Sequence, residues 1–299
     1  MINRNTLAYI QLMRPANLIS AVADILAGFA IGGGIIRLTF SPTIIEISRP
    51  HHLLALTLSS IGLYAGGVIL NDVFDAEIDK VERPERAIPS GRASIVGASI
   101  LAISMFLIAY TLAFYVSPLS GIIAISISIM AVLYDKIGKH TAWGPINMGA
   151  CRGLNLLLAM FCDYSNWYLM ILPIVYIASI TLISKGEVHG LNKTNYYWAF
   201  LGYSIVMVTL FMIGNSRKIA YWEFIPFLLF WAYMVISKLF KAYQTNLSKD
   251  IMIAVKTGVI SLIILNASIG AIYGGFYWGS AIIILLPISL FLAKKFAVT

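Results

Sequence analysis

LLALTLSSIGLYAGGVILNDVFDAEID, residues 53–79, is uncharged and mostly apolar as far as Leu70 and then turns abruptly acidic. A helix of about 20 such residues crosses the hydrocarbon core of a bilayer. The stretch therefore reads as a transmembrane helix carrying Asn71, Asp72, Asp75 and Asp79 at its mouth.

Comparable apolar runs recur through all 299 residues. They cover roughly 16–36, 53–73, 94–116, 119–134, 145–162, 167–184, 196–214, 222–239, 252–275 and 278–293. Composition agrees: 60% of residues are hydrophobic and 11% charged, against about 45–50% and about 25% in an ordinary soluble domain. The expectation is one polytopic membrane domain over 1–299, an all-α bundle of nine or ten transmembrane helices around a central cavity. The first apolar run is longer than a signal-peptide core and has no small-residue cleavage site behind it, so it reads as a retained helix. Cys151 and Cys162 fall within one expected span at a separation unsuited to a disulfide or metal clip, and read as packing residues.

The net charge of +8 comes from basic residues that punctuate the apolar segments. They form no patch for nucleic acid, and none is expected as a partner. With the N-terminus in the cytoplasm, sixteen Lys and Arg fall inside and four outside, with Arg152 inside a span. That bias fits a multi-pass protein of the cell inner membrane with its reactive loops, 74–93, 135–144 and 185–195, on the cytoplasmic side. Gly28, Gly32, Gly33, Gly34, Gly62, Gly66 and Gly67 suit close helix contact. Trp143, Trp167, Trp198, Trp222 and Trp278 lie near span ends and read as an interfacial belt.

If the second helix continues through Asp79, then Asp72, Asp75 and Asp79 stand at i, i+3 and i+7 on one stripe. Carboxylates crowded at the negative end of a helix need a positive partner. Mg²⁺ suits them, taking one or two carboxylates plus water and phosphate oxygens, and Asn71 offers an amide oxygen. The loop that follows, residues 80–92, carries Arg83, Arg86 and Arg92, and guanidinium forks match phosphate oxygens bidentately. Mg²⁺ ligands beside phosphate-binding arginines describe a diphosphate site.

These residues resemble the UbiA superfamily of intramembrane prenyltransferases, whose N-D-x-x-D-x-x-x-D motif is matched at Asn71, Asp72, Asp75 and Asp79. The arginine loop of that family is matched at Arg83, Pro84, Arg86, Pro89 and Gly91. Arg14-Pro15 with Asn17, and Tyr134 with Lys139, extend the likeness. The resemblance implies Mg²⁺-dependent transfer of a prenyl group from an isoprenoid diphosphate to a lipophilic or aromatic acceptor within the lipid bilayer. It implies catalytic roles for Asp72, Asp75, Asp79 and Lys139, and substrate contacts from Asn17, Arg83, Arg86, Tyr134 and Arg152.

The second acidic motif of the family departs here. Its place holds Ser184-Lys185-Gly186-Glu187-Val188-His189-Gly190, so Glu187 alone is left as a hard metal ligand, with Lys185 and His189 as phosphate or proton contacts. The segment is also similar to an EboC-like branch. This leaves a second reading, a protein without transferase turnover that binds or transports a lipophilic metabolite. A third, an ion-coupled transporter, would use Asp24 and Arg152, charges inside spans that must face a cavity or a partner. Arg152 and Asn155 share a helix face, and Asn147 and Asn266 are further intramembrane amides. Tyr64, Phe74 and Tyr134 read first as core packing, with an aromatic face for a carbocation as the alternative.

Overall fold

The computed structural model describes residues 4–37, 45–138, 141, 143–186 and 192–296. The amino-terminal helix α1 (Arg4–Leu12) leads into α2 (Pro15–Ile31), and the chain bends by 45° between them. Arg14 is the joint. It lies in the left-handed region at φ 49°, a conformation uncommon for a residue with a side chain, directly before a proline that disfavours right-handed helix at the preceding position.

Two short antiparallel strands, β1 (Ile35–Arg37) and β2 (Ile45–Ile47), precede α3 (Pro50–Phe74) and the short α4 (Ala76–Glu82). Then follow α5 (Ile95–Val116), α6 (Pro118–Lys136), α7 (Gly144–Leu158), a 3₁₀ turn (Trp167–Met170), α8 (Ile171–Ser184), α9 (Lys193–Ser216), α10 (Tyr221–Thr245) and α11 (Ser248–Gly274). The chain ends in α12 (Phe276–Ile283) and α13 (Leu285–Lys295), which together make one span.

Local chemistry sets these boundaries. Proline occupies the first turn of α2, α3, α6 and α7, where its missing N–H is no loss. Ser94 and Ser117 cap α5 and α6, their hydroxyls accepting from the backbone N–H of Gly97 and Ser120 at 3.0 Å each.

Among the described residues, eight helical segments are long and apolar enough to cross a membrane, and the bent α1–α2 pair makes nine. Helix α7 occupies the remaining expected span with only 15 residues, about 22 Å at the helical rise per residue. Outward-facing Ile100, Ile103, Leu107, Leu229 and Phe291 are exposed, as lipid-facing side chains of a multi-pass membrane protein must be.

Several expected boundaries move. The first span ends at Ile31 and not at 36, because Gly33 at φ +76° turns the chain out of the helix. The span expected over 145–162 stops at Leu158, which leaves Cys162 exposed beyond its end, while Cys151 lines the central cavity. Trp278 is no belt residue: it is buried, and its indole N–H donates to the Leu26 carbonyl at 3.0 Å. Trp143, Trp167, Trp198 and Trp222 are exposed.

Small residues form the seams between helices. A Cβ at Gly62 would lie 2.8 Å from the Met105 carbonyl oxygen of α5, and one at Gly149 2.6 Å from the Ile174 carbonyl oxygen of α8. Gly28 of α2 and Gly32 just past its end meet Leu156 and Met160 in the same way. Backbone is in contact with backbone, as interhelical packing in lipid favours. Gly149→Leu has no side chain on the facing surface that can give way, so it is expected to lower stability by about 1–3 kcal/mol, the range for overpacking. Reversible unfolding in mixed micelles measures it, and an unchanged unfolding midpoint would show that α7 and α8 separate freely.

Candidate functional site

Helices α2, α3, α6, α7, α8 and α11 enclose a cavity of about 620 Å³. Its walls are largely apolar, with Leu63, Val68, Ile127, Ile177, Ile180 and Val259 among the side chains facing in. One end is polar. There the start of α2 supplies Arg14 and Asn17, the end of α3 supplies Asn71 and Asp75, the loop after α4 supplies Arg83 and Arg86, and the end of α6 supplies Tyr134 and Asp135. An apolar chamber with a cationic and carboxylate-bearing mouth suits a molecule with a hydrocarbon body and a polyanionic head.

The acidic motif is split at this mouth. Helix α3 ends at Phe74, and Asp75 (φ −85°, ψ 0°) joins it to α4. Helical hydrogen bonding carries through the joint, since Asp75 N–H donates to the Asn71 carbonyl at 3.0 Å and Asp79 N–H to the Asp75 carbonyl at 2.8 Å. The side chains nevertheless part. Asn71 and Asp75 face the cavity. Asp72 and Asp79 are buried beside it and held by arginines: Asp72 accepts from Arg14 at 2.6 Å and Arg86 at 3.4 Å, and Asp79 accepts from Arg86 at 2.6 Å. The positive partner that crowded carboxylates require is, for these two, guanidinium. Arg92 stands farther back, donating to Gln11 at 3.1 Å and to the Glu85 carbonyl at 2.6 Å.

Asp135 is the site residue that sequence reasoning missed. It follows Tyr134 in the last turn of α6, lines the cavity, and accepts from the Asn71 side-chain amide at 2.7 Å. An acid at a span end beside a motif tyrosine was the available signal, but nothing in its spacing ties it to Asn71, 64 residues away.

Deeper in the wall, Asp24 is 1% exposed and fully engaged. Arg152 donates to it at 2.9 Å, Asn155 at 3.0 Å and Asn266 at 2.7 Å, while Arg152 also reaches Ser20 at 2.8 Å. The Arg152 guanidinium lies 4.9 Å from the Tyr64 ring centroid, so that aromatic face already has a cation. Arg152 and Asn155 both line the cavity, as their shared helix face predicts. Phe74 is exposed and packs near Lys136, 5.7 Å from its ring.

Of the second-motif residues, Lys185 is exposed at the end of α8 and is absent from the cavity wall, to which Thr181 and Ser184 contribute instead. Lys139, Glu187 and His189 lie outside the described residues. No group of three His, Cys, Asp or Glu among the described residues is close enough to cage a metal alone. The donors that do face the cavity, carboxylates and an amide oxygen, are hard ligands, and they fit Mg²⁺, which completes its shell with water and substrate phosphate.

Residues 29–184 match the UbiA prenyltransferase family. The chain is 33% identical over 194 residues to the digeranylgeranylglyceryl phosphate synthase of Saccharolobus solfataricus, covering 63% of this chain and 64% of that protein. It is 36% identical over 156 residues to the enzyme of the same name from Methanococcoides burtonii, covering 50% and 52%. The matched part thus spans between half and just under two thirds of these relatives' own length. A solved structure described as digeranylgeranylglyceryl phosphate synthase in membranes has a TM-score of 0.68 at 17% identity, over 92% of this chain and 100% of that one. The apo UbiA homologue of Aeropyrum pernix K1 has a TM-score of 0.66 at 12% identity, over 84% and 96%. At such identities the likeness is one of fold.

Proposed function

We propose, from the premise that this chain belongs to the UbiA prenyltransferase family, that it transfers a prenyl group from an isoprenoid diphosphate to a lipophilic acceptor inside the bilayer. The carrying observation is the cavity itself, about 620 Å³ of mostly apolar wall closed at one end by Arg14, Arg83, Arg86, Asn71 and Asp75. In the reaction the allylic C–O bond breaks, its electron pair leaves with pyrophosphate, and the acceptor's nucleophilic atom bonds to the allylic carbon and loses its proton. Arg14, Arg83 and Arg86 bind the diphosphate oxygens. The apolar walls hold the prenyl chain and keep water from the electron-poor carbon, and Tyr134 lines the same space. Asn71 and Asp75 would hold Mg²⁺, which when bound offsets the charge on the leaving pyrophosphate.

The membrane orientation follows from charge. Arg14, Arg83, Arg86, Arg92 and Lys136 gather at the polar end of the bundle, and such residues mark the cytoplasmic side. This supports one membrane domain in the cell inner membrane with its site facing the cytoplasm.

The test is release of pyrophosphate from prenyl diphosphates of increasing length by protein in nanodiscs, with lipid alcohols and phenols as acceptors, with Mg²⁺ and with chelator. Metal-dependent release is expected. Its absence from folded protein with every donor would favour the second reading, a UbiA-like carrier of lipophilic metabolites. The exposed Lys185, where the family places an aspartate, is the observation on that side. A finer expectation concerns Arg83, which is exposed at the cavity mouth. Arg83→Ala should raise the KM for the diphosphate about tenfold, in line with loss of one charge-assisted hydrogen bond, and leave the thermal midpoint unchanged.

A further inference from the structure

Two polar atoms in the cavity wall are left unspent by the fold: the Tyr64 hydroxyl and the Asn155 amide oxygen. Tyr64 stands on the stripe of α3 that lines the cavity, with Gly67, Asn71 and Asp75 on the mouth side of it. It lies about two turns, or about 10 Å, from Asn71 along the helix. Its ring face is taken by the Arg152 guanidinium, 4.9 Å from the centroid, so the hydroxyl is what it offers to an occupant. Arg14, at the mouth, is near enough to act on Tyr64 electrostatically, which ties this depth of the cavity to the diphosphate end.

Asn155 comes to the same place from α7. Its amide N–H groups are spent on the Ala21 carbonyl at 3.1 Å and on Asp24 at 3.0 Å, which fixes the orientation of the amide. The Ser60 hydroxyl, one turn before Tyr64 on α3, donates to that same Ala21 carbonyl at 3.3 Å. Among the described residues, the Tyr64 hydroxyl and the Asn155 Oδ1 make no hydrogen bond. The buried polar atoms that lack a partner are His52 Nδ1, Asn147 Oδ1, Trp231 Nε1 and Ser261 Oγ. Tyr64 and Asn155 are not among them, so their free atoms open onto the cavity that both residues line.

An unspent donor and an unspent acceptor in an apolar chamber match a hydroxyl group, which accepts through its oxygen and donates through its hydrogen. The guanidinium beside them, Arg152, is already answered by Asp24 at 2.9 Å. The place is therefore polar without net charge, and it suits an uncharged group.

Resting on the transferase reading above, we propose that Tyr64 and Asn155 form the acceptor subsite and hold the attacking hydroxyl of an uncharged lipid alcohol or phenol. Asn155 Oδ1 accepts from that hydroxyl, and the Tyr64 hydroxyl donates to one lone pair of its oxygen. The other lone pair is left to bond to the allylic carbon. As that bond forms, the allylic C–O bond breaks with its electron pair going to pyrophosphate. The hydroxyl proton leaves to the pyrophosphate, while Tyr64 and Asn155 orient the group and stay neutral.

Tyr64→Phe removes the hydroxyl and keeps the ring on which Arg152 packs. Protein in nanodiscs is given the prenyl diphosphates of the release assay with octadecanol or pentadecylphenol as acceptor, and prenylated acceptor and free prenol are measured by chromatography. Tyr64→Phe should raise the KM for the acceptor about tenfold, as loss of one hydrogen bond does. It should shift the product ratio towards prenol by a similar factor, with the diphosphate KM and the thermal midpoint unchanged. The two acceptors tell an alcohol from a phenol. An unchanged acceptor KM, or a slower reaction with the product ratio unchanged, would overturn the role of Tyr64 and leave the transferase reading standing. Pyrophosphate release by the unsubstituted chain with neither acceptor prenylated would overturn the subsite alone. No release from any donor would overturn both. Displacement of tritiated octadecanol from the unsubstituted chain tests the Asn155 oxygen and does not depend on how the variant folds. Octadecyl methyl ether has no hydrogen to donate and should compete at least tenfold more weakly than octadecanol; equal competition would overturn the proposal.

Discussion

Asp75→Asn is expected to slow Mg²⁺-dependent pyrophosphate release by about a hundred- to a thousandfold, the range for removing one preorganised group that offsets transition-state charge. Among the three motif aspartates this is the one whose side chain faces the cavity. The substitution preserves volume, and the two hydrogen bonds that carry the helix through this joint are between backbone atoms, so the fold should be retained. On the proposed reading the loss should appear in kcat more than in KM, because Arg14, Arg83 and Arg86 would still bind the diphosphate. Asp72→Asn and Asp79→Asn should behave differently. Each withdraws a charge from a buried pair with Arg14 or Arg86 and should lower the thermal midpoint as well as the rate. Single-turnover kinetics beside thermal unfolding separates the two patterns; an Asp75→Asn enzyme at full rate would remove Asp75 from the metal site.

Asp24→Ala is expected to destabilise the bundle by roughly 3–5 kcal/mol, the range for leaving one partner of a buried pair uncompensated. Arg152, Asn155 and Asn266 all donate to that carboxylate, and three buried donors would lose their acceptor at once. Asp24→Asn with Arg152→Gln removes both charges and should recover most of the loss. Unfolding in mixed micelles measures this. A double variant no more stable than Asp24→Ala would show that the charges matter beyond their pairing. An aspartate held by three donors in a closed network is built as a structural pair, not as a proton relay, and the transporter reading loses its principal residue.

The spans were legible because a membrane helix declares itself by length and hydropathy, and each of the ten expected segments corresponds to a helix or helical pair. Their ends were harder. Ala159 and Met160 are as apolar as any helical residue, yet α7 stops at Leu158. The glycines at 32–34 read equally as contact surface or stop signal, and the structure uses Gly32 for the first and Gly33 for the second. The two three-residue strands carry no pattern long enough to detect.

At the site, the periodicity put Asp72, Asp75 and Asp79 on one stripe of one helix; in the structure the helix is divided at Asp75, and Asp75 faces the cavity while Asp72 and Asp79 are held by arginines. Which of them would face the cavity depended on Arg14, 58 residues from Asp72 in sequence, and on a loop arginine whose reach no spacing rule supplies. Asp135 escaped for the same reason: its partner is brought to it by tertiary packing of α6 against α3.

The glycine seams have a consequence for selectivity. Where backbone touches backbone there are no rotamers to rearrange, so α3 against α5 and α7 against α8 keep their spacing whatever occupies the cavity. Under the transferase proposal, a prenyl chain would therefore meet a bore of fixed gauge. Tolerance for chain length resides in the replaceable lining that α8 and α11 contribute, Ile177, Ile180, Val255 and Val259, and these four positions are where the gauge can be re-cut while the frame stays intact.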